Sequence, residues 1–386
     1  MRLADRIGKN VPYLVGELRR KISAAQARGI DVISLAVGDT FEPTPKPIIE
    51  ELAHQAHKPE NQRYAEDERG LLELRQAIAR WYRDNYNVML DCDQEILALI
   101  GSKEGSFYFA QAVVNPGDVV LMTDPGYPAY RASIHLAGGC PYYVPIKEED
   151  NFLPRLEDIP SDVAKKAVAF YLNYPNNPTG AVAHRRFFNE VVRFASQYDI
   201  IVCHDNPYSE IIYGDTERLS FLQIEGAKEV GIELNSLSKP FNMTGWRLGV
   251  ALGNADLVAG IARIKENVDA GIFNPIQYAG ITALTRCQDN IRRMIEIYER
   301  HRSIVVDMFN SKGWNITPPR GTFYLWLPTP TGVSSVDFAA EVLDRAAVVI
   351  TAGTAYGQHG EGYCRVSLTI PETRLREAME RIEKIL

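Results

Sequence analysis

Long apolar runs are missing from this sequence. No stretch approaches the ~18 consecutive apolar residues that a membrane-spanning helix needs, so no membrane partner is expected. The opening MRLADRIGKN mixes acid with base around no apolar centre, and it is not expected to act as a secretory signal. Cysteine is sparse. The five residues at 92, 140, 203, 287 and 364 are odd in number and show no C-x-x-C spacing. They read as reduced thiols, which implies a cytoplasmic protein. The seven histidines are scattered without H-E-x-x-H or comparable spacing, so no metal is implied. No block of lysine and arginine appears and the net charge is −7, which leaves nothing to attract nucleic acid. No internal repeat or low-complexity tract breaks the chain.

What is there is a soluble globular composition, 46% hydrophobic and 24% charged, over 386 residues. That length exceeds one ordinary core and favours one large and one smaller domain. After Gly38-Asp39 and a proline-rich crossing, a helical face built from Leu71, Leu74, Ala77, Ile78 and Trp81 follows a loop that carries Tyr64. Short buried strands then alternate with turns and helices. Glu95–Ile100 runs into the small-residue turn GSKEG (101–105) and a helix over Ser106–Val114. Val119–Met122 ends in DPGYPAY (124–130). Ala167–Leu172 ends in NYPNNPTG (173–180), and Ile200–Cys203 ends in HDNPY (204–208). This alternation predicts a mainly parallel sheet with helices on both faces, and ligands sit beyond the strand ends of such sheets. From about Thr285 the pattern shifts to longer helices, led by one over Asn290–Lys312, and shorter strands at 319–326 and 364–368. A helix over Tyr13–Arg28 and a strand over Asp31–Ala36 are expected near the start.

The most informative stretch is LNSLSKPFNMTGWRLGV, from Leu234 to Val250. A strand end leads into Asn235, Ser236, Ser238 and Lys239. Pro240, Asn242 and Gly245 break any regular element, and Arg247 opens a second apolar run. A lysine and an arginine therefore flank a turn, with hydroxyls beside the lysine. Such a set suits a molecule that carries an aldehyde and a phosphate. The amine can form an imine with the aldehyde, while the hydroxyls and a bidentate guanidinium hold the phosphate. The Ser102 turn adds free backbone N–H groups at a helix N-terminus.

The pattern S-x-S-K-x5-G-W-R-x-G resembles the lysine segment of class I/II aminotransferases of fold type I, which depend on pyridoxal 5′-phosphate. N-x-P-x-N-P-T-G and D-x-x-Y after a strand are further signatures of that family. The resemblance spans Tyr13 to Arg365 and implies an α/β fold with a mainly parallel seven-stranded sheet in a large domain, 47–284. A smaller α+β domain is implied for 1–46 together with 285–386.

The resemblance also implies roles. Lys239 holds the cofactor and moves the proton, Asp205 pairs with the ring nitrogen, and Tyr208 and Asn177 reach its 3-oxygen. Tyr127 stacks on the ring. Ser102, Lys103, Ser236, Ser238 and Arg247 surround the phosphate, joined by Tyr64 of a neighbouring subunit, so the enzyme is expected to be a homodimer with shared sites. YLVGEL, GSKEG, DPGYP, NYPNNPTG and KENVDAGIF together resemble the LL-diaminopimelate aminotransferase group. Tyr13, Gly38, Lys103, Asn177, Asn267 and Arg365 then match substrate-contacting positions, with Arg365 clamping the α-carboxylate. The implied reaction moves an amino group from an L-amino acid to 2-oxoglutarate or another 2-oxo acid. Aspartate, alanine or aromatic substrates, and a lyase on the same scaffold, remain open alternatives.

Overall fold

The computed structural model describes residues 4–8, 20, 22–23 and 26–386. Tyr13, and most of the helix expected over Tyr13–Arg28, lie outside those residues. The first strand, β1 (Ile33–Ser34), stays apart from the main sheet. The main sheet holds β2 (Ile96–Leu99), β3 (Val119–Asp124), β4 (Cys140–Pro145), β5 (Ala167–Leu172), β6 (Ile201–Asp205), β7 (Gly231–Ser236) and β8 (Gly249–Gly253). Their spatial order is β2-β8-β7-β6-β5-β3-β4. The neighbours from β4 to β7 pair in parallel, while β8 runs antiparallel to both β2 and β7. β8 is reversed because the lysine turn returns the chain directly, with no crossover helix to bring it round. After β3 the chain steps outward to β4 and comes back on the other side of β3 as β5. That reversal opens a crevice at the carboxyl ends of the strands.

Apart from the edge strand β4, the strands of the main sheet are almost entirely buried, so their apolar runs are continuous rather than alternating. β4 was not expected from the sequence, because CPYYVP carries prolines at both ends of its central residues. It is the outermost strand of the sheet, where a missing N–H is tolerated. The helix expected at Ser106 begins at Ser102 instead. The Gly101 backbone, at φ +80°, turns the chain into it, and Glu104 Oε2 accepts the Ile100 N–H at 2.6 Å. Helices over Arg185–Tyr198, Ala255–Lys265 and Asn274–Arg286 cover the sheet and were also not singled out in the sequence.

Beyond the sheet, β9 (Tyr324–Pro328), β10 (Val348–Val349), β11 (Thr351–Ala352) and β12 (Tyr363–Ser367) follow. β11, β12 and β9 form an antiparallel sheet, and β10 pairs in parallel with β1. β9 is shorter than the 319–326 run suggested, since Pro318, Pro319 and Gly321 keep the chain irregular up to Phe323. The long helix spans Gln288–Ser311, close to the expected range. Its Ile291 packs with the core beneath the main sheet, while Met294, Tyr298 and Val305 pack with Ile33, Leu35 and the β9–β12 strands. Among the described residues, no helix is long and apolar enough to cross a membrane.

Candidate active site

A cavity of about 260 Å³ opens at the carboxyl ends of the main-sheet strands and is roofed by β9 and β12. β7 delivers Ser236 and Ser238, then Lys239. Lys239 Nζ donates to the Gly38 carbonyl oxygen at 2.7 Å and lies 5.5 Å from the centroid of the Phe323 ring. Burial pushes its pKa down to about 8; Asp39 opposes the shift, and the Arg247 and Arg365 guanidinium groups add to it. A lysine so placed is a free amine in a useful fraction near neutral pH and can act as a nucleophile.

β6 delivers Asp205, which is 4% exposed. Its Oδ2 accepts the Tyr130 hydroxyl at 2.6 Å, while Oδ1 is buried without a hydrogen-bond partner among the described residues. Burial raises its pKa to about 6, against the hydroxyls of Tyr130 and Ser102 and the nearby His204. A buried carboxylate oxygen left bare on a cavity wall fits a protonated ring nitrogen, since such a group otherwise costs free energy. Tyr208, three residues on, has its hydroxyl 3.2 Å from that of Tyr324 on β9.

The β5 turn is tied to β6 by Asn173. Its Nδ2 donates to the Asp205 carbonyl at 2.7 Å, and its Oδ1 accepts the Asn177 N–H at 2.8 Å. Asn177 Oδ1 in turn accepts from Arg365 Nη1 at 2.8 Å. Arg365 sits on β12, 7% exposed, and also donates to the Ala36 carbonyl oxygen. Its guanidinium lies over the Tyr324 ring at 4.1 Å and the Tyr356 ring at 4.9 Å. These aromatic faces hold the planar cation rigidly, as bidentate recognition of a carboxylate requires.

An anion cradle closes one end. Ser236 Oγ donates to Ser238 Oγ at 2.9 Å, and Arg247, itself at φ +58°, donates from Nη1 to the Thr244 carbonyl at 2.9 Å. Ser102 and Lys103 face this end from the first turn of their helix, and Tyr127 stands at the N-cap of Pro128–Leu136. A Cβ on Gly101 would lie 2.3 Å from Arg247 Nη2, so only glycine lets the guanidinium approach the helix N-terminus. Hydroxyls, guanidinium and helix end together match a phosphate, and the amine and bare carboxylate match the aldehyde and ring nitrogen of the same molecule.

Of the residues singled out in the sequence, Gly38, Ser102, Lys103, Tyr127, Asn177, Asp205, Tyr208, Ser236, Ser238, Lys239, Arg247 and Arg365 line this one cavity. Tyr64 and Asn267 do not. Tyr64 is 85% exposed, and Asn267 is exposed with its side chain bonded to the Arg263 carbonyl. Tyr130, Asn173, Thr244 and Tyr324 also line the cavity and were not assigned from the sequence. Tyr130 and Asn173 lie inside motifs already quoted. Tyr324 lies in the run read only as a strand, and nothing local marks it out.

Residues 30–382 match the family Aminotransferase class I and II. The chain is 52% identical over 386 residues to an LL-diaminopimelate aminotransferase from Moorella thermoacetica, covering 100% of this chain and 99% of that protein. It is 47% identical over 382 residues to a protein of the same name from Aquifex aeolicus, covering 99% and 98%. Among solved structures it is similar to substrate-bound BacF from Bacillus subtilis, with TM-score 0.96 and 33% identity over 100% of this chain and 98% of that one. An aspartate aminotransferase double mutant from Thermus thermophilus matches with TM-score 0.93 and 27% identity over the full length of both chains. With the lysine turn, the bare carboxylate and the anion cradle in one cavity, the chain belongs to the class I and II aminotransferases and is a pyridoxal-phosphate-dependent transaminase.

Proposed function

We propose that this transaminase takes its amino group from LL-diaminopimelate and passes it to 2-oxoglutarate. The observation that carries the reading is the full-length identity, close to one half, to several proteins of that name. The chemistry of the cavity is compatible with it, because Arg365 offers a rigid clamp for the α-carboxylate that every such donor carries.

In this reading Lys239 would hold the cofactor, and its amine nitrogen would take up the proton from the substrate Cα. Its depressed pKa suits that exchange. Pyridoxal phosphate, when bound, supplies the electron-withdrawing ring that accepts the electron pair left at Cα. Asp205 would hold the ring nitrogen protonated with its bare oxygen. Tyr208 and Asn177 would bond the 3-oxygen, and Tyr127 would cover the ring. Ser102, Lys103, Ser236, Ser238 and Arg247 would hold the phosphate. Gly38 leaves room beside the reacting carbon, and Arg365 fixes the carboxylate.

The same reading divides the chain into a large domain, 47–284, and a smaller one, 1–46 with 285–386, that closes over the substrate. It makes the enzyme a cytoplasmic homodimer in which Tyr64 reaches the neighbouring subunit's phosphate, and it gives Asn267 a contact with the substrate. Support comes from exposed apolar side chains on adjoining loops. Tyr64, Val268 and Phe273 are 85%, 64% and 48% exposed. The two loops touch closely enough that a Cβ on Gly271 would lie 2.9 Å from Ala65 Cβ. Such a patch is what a second copy covers.

A panel of amino donors with 2-oxoglutarate, followed by glutamate formation, tests the substrate. LL-diaminopimelate should give the highest kcat/KM. A larger value for aspartate, alanine or an aromatic amino acid would reassign the donor, and pyruvate with ammonia formed without any acceptor would indicate a lyase.

A further inference from the structure

The strand that ends in Asp205 carries a second ionisable side chain on its other face. Successive side chains of a strand point to opposite sides. Asp205 meets Tyr130 of the Pro128–Leu136 helix, whereas His204 packs against Phe188 of the Arg185–Tyr198 helix, with ring centroids 5.0 Å apart. His204 is 0% exposed, and so is Glu233, its register partner on β7. Neither has a part in the chemistry described above.

Donor and acceptor geometry determines where the protons of this cluster reside. His204 Nε2 lies 3.0 Å from the Tyr174 carbonyl oxygen, which can only accept, so Nε2 carries a hydrogen. His204 Nδ1 lies 3.0 Å from Glu233 Oε2. That carboxyl is already surrounded by neutral donors. Oε2 accepts the Phe221 N–H at 2.8 Å, and Ser220 Oγ stands 3.0 Å from each oxygen. Oε1 accepts the Tyr82 hydroxyl at 2.7 Å, and Tyr82 has its proton committed there because its oxygen takes the Asn235 amide at 2.8 Å. A carboxyl that accepts several such bonds is held in its ionised form. A buried carboxylate also needs a cation, and the group in contact that can supply one is His204.

The other charged groups nearby are already paired or lie in the cavity. Behind the sheet, Glu210 accepts from Arg218 and from the hydroxyl of Tyr86. On the cavity side of Asp205 stand the Tyr130 and Ser102 hydroxyls, with Lys239, Arg247 and Arg365 beyond. Phe188 and Phe221 flank the His204 ring, so no water-like medium screens it.

We propose that His204 is an imidazolium paired with Glu233, and that its charge, one residue before Asp205 on β6, acts through that residue to keep its carboxylate ionised against the ring nitrogen of the cofactor. The functional half of this inference rests on the role given to Asp205 above; the protonation of His204 does not. His204 is thus a positioning residue. Its charge counts among the influences that oppose the upward shift of Asp205 by burial, and it outweighs the contrary effect of Glu233.

Two measurements test it. In ¹⁵N-histidine-labelled holoenzyme, one histidine, absent from the spectrum of His204→Gln, should carry hydrogens on both ring nitrogens at pH 7. One bare ring nitrogen on that histidine at pH 7 would overturn the proposal, and the unaltered protein alone suffices for this reading if the variant does not fold. In the pH profile of kcat/KM, His204→Gln should move the acidic limb upward by about one pH unit, and the double variant His204→Gln/Glu233→Gln, which also removes the opposing carboxylate, should move it upward by less. Ser220→Ala weakens the same cluster without removing the imidazole and should leave the limb in place. A cofactor-loaded His204→Gln enzyme with an unmoved limb would sink the functional half while the spectrum still decides the protonation. Wild-type turnover in Asp205→Asn would instead indict the role given to Asp205.

Discussion

Lys239 Nζ bonds the carbonyl oxygen of Gly38 at 2.7 Å, although the two residues are 201 positions apart. This bond joins the turn after β7 to the segment after β1, which packs with the core of β9–β12. The Gly38 position leaves no room for a side chain: a Cβ there would lie 1.7 Å from Tyr324 Oη. Gly38→Ala should therefore displace Tyr324 and the Lys239 contact together, with an overpacking cost of roughly 1–3 kcal/mol. Thermal melts and kcat/KM would both fall. Removing the obstructing ring in Gly38→Ala/Tyr324→Leu should restore part of the melting temperature, and a double variant no more stable than Gly38→Ala would show the clash to be misplaced.

The depressed pKa of Lys239 sets a pH dependence with a definite sign. The neutral amine is the nucleophile, so covalent uptake of pyridoxal phosphate by the apoenzyme should accelerate as pH rises through about 8 and level off above it. Stopped-flow absorbance follows the rate. Lys239→Ala should leave no borohydride-fixed cofactor on the protein, and peptide mapping that finds the label on another lysine would reject the assignment.

Asp205→Asn should lower kcat by about two powers of ten or more, because an amide cannot keep a ring nitrogen protonated, while cofactor affinity falls far less. The apoprotein offers an independent readout. With the folded pKa raised to about 6, the unfolded chain sheds this proton at lower pH than the folded one. Stability from this group is therefore lost as pH rises from about 4 to about 6, by as much as roughly 3 kcal/mol. Apo Asp205→Asn should lack that slope in urea titrations across the same window.

Tyr64 gives a test of the shared site. A Lys239→Ala protein and a Tyr64→Phe protein, unfolded and refolded together, should form mixed dimers in which one site carries both defects and the other neither. Activity should exceed the mean of the two parents, because a lost hydrogen bond to a charged phosphate costs roughly 1.5–3 kcal/mol in each Tyr64→Phe site. Mean activity despite proven subunit exchange would place Tyr64 outside any neighbouring site.

Much of this protein is determined by short stretches of its sequence. Ser236, Ser238, Lys239 and Arg247 lie within one turn between two strands, so local chain geometry alone brings their chemistry together. Asp205 ends a strand, Asn177 and Tyr127 lie in the loops that follow one, and a mainly parallel sheet with a topological reversal aligns those ends whatever the rest of the chain does. Apolar periodicity and turn residues suffice to announce that sheet. The proline-bearing β4 escaped because its edge position, which excuses the prolines, is a property of the finished sheet. Tertiary structure alone decided the rest. Tyr324 became a wall of the cavity because β9 pairs with β12 and carries its ring against Gly38 and Arg365, contacts that span from 41 to 286 positions of chain. His204 and Glu233 look like ordinary strand residues until β6 and β7 pair in register. Burial, register and distance set their protonation and the pKa of Asp205, and none of these is written in a local pattern.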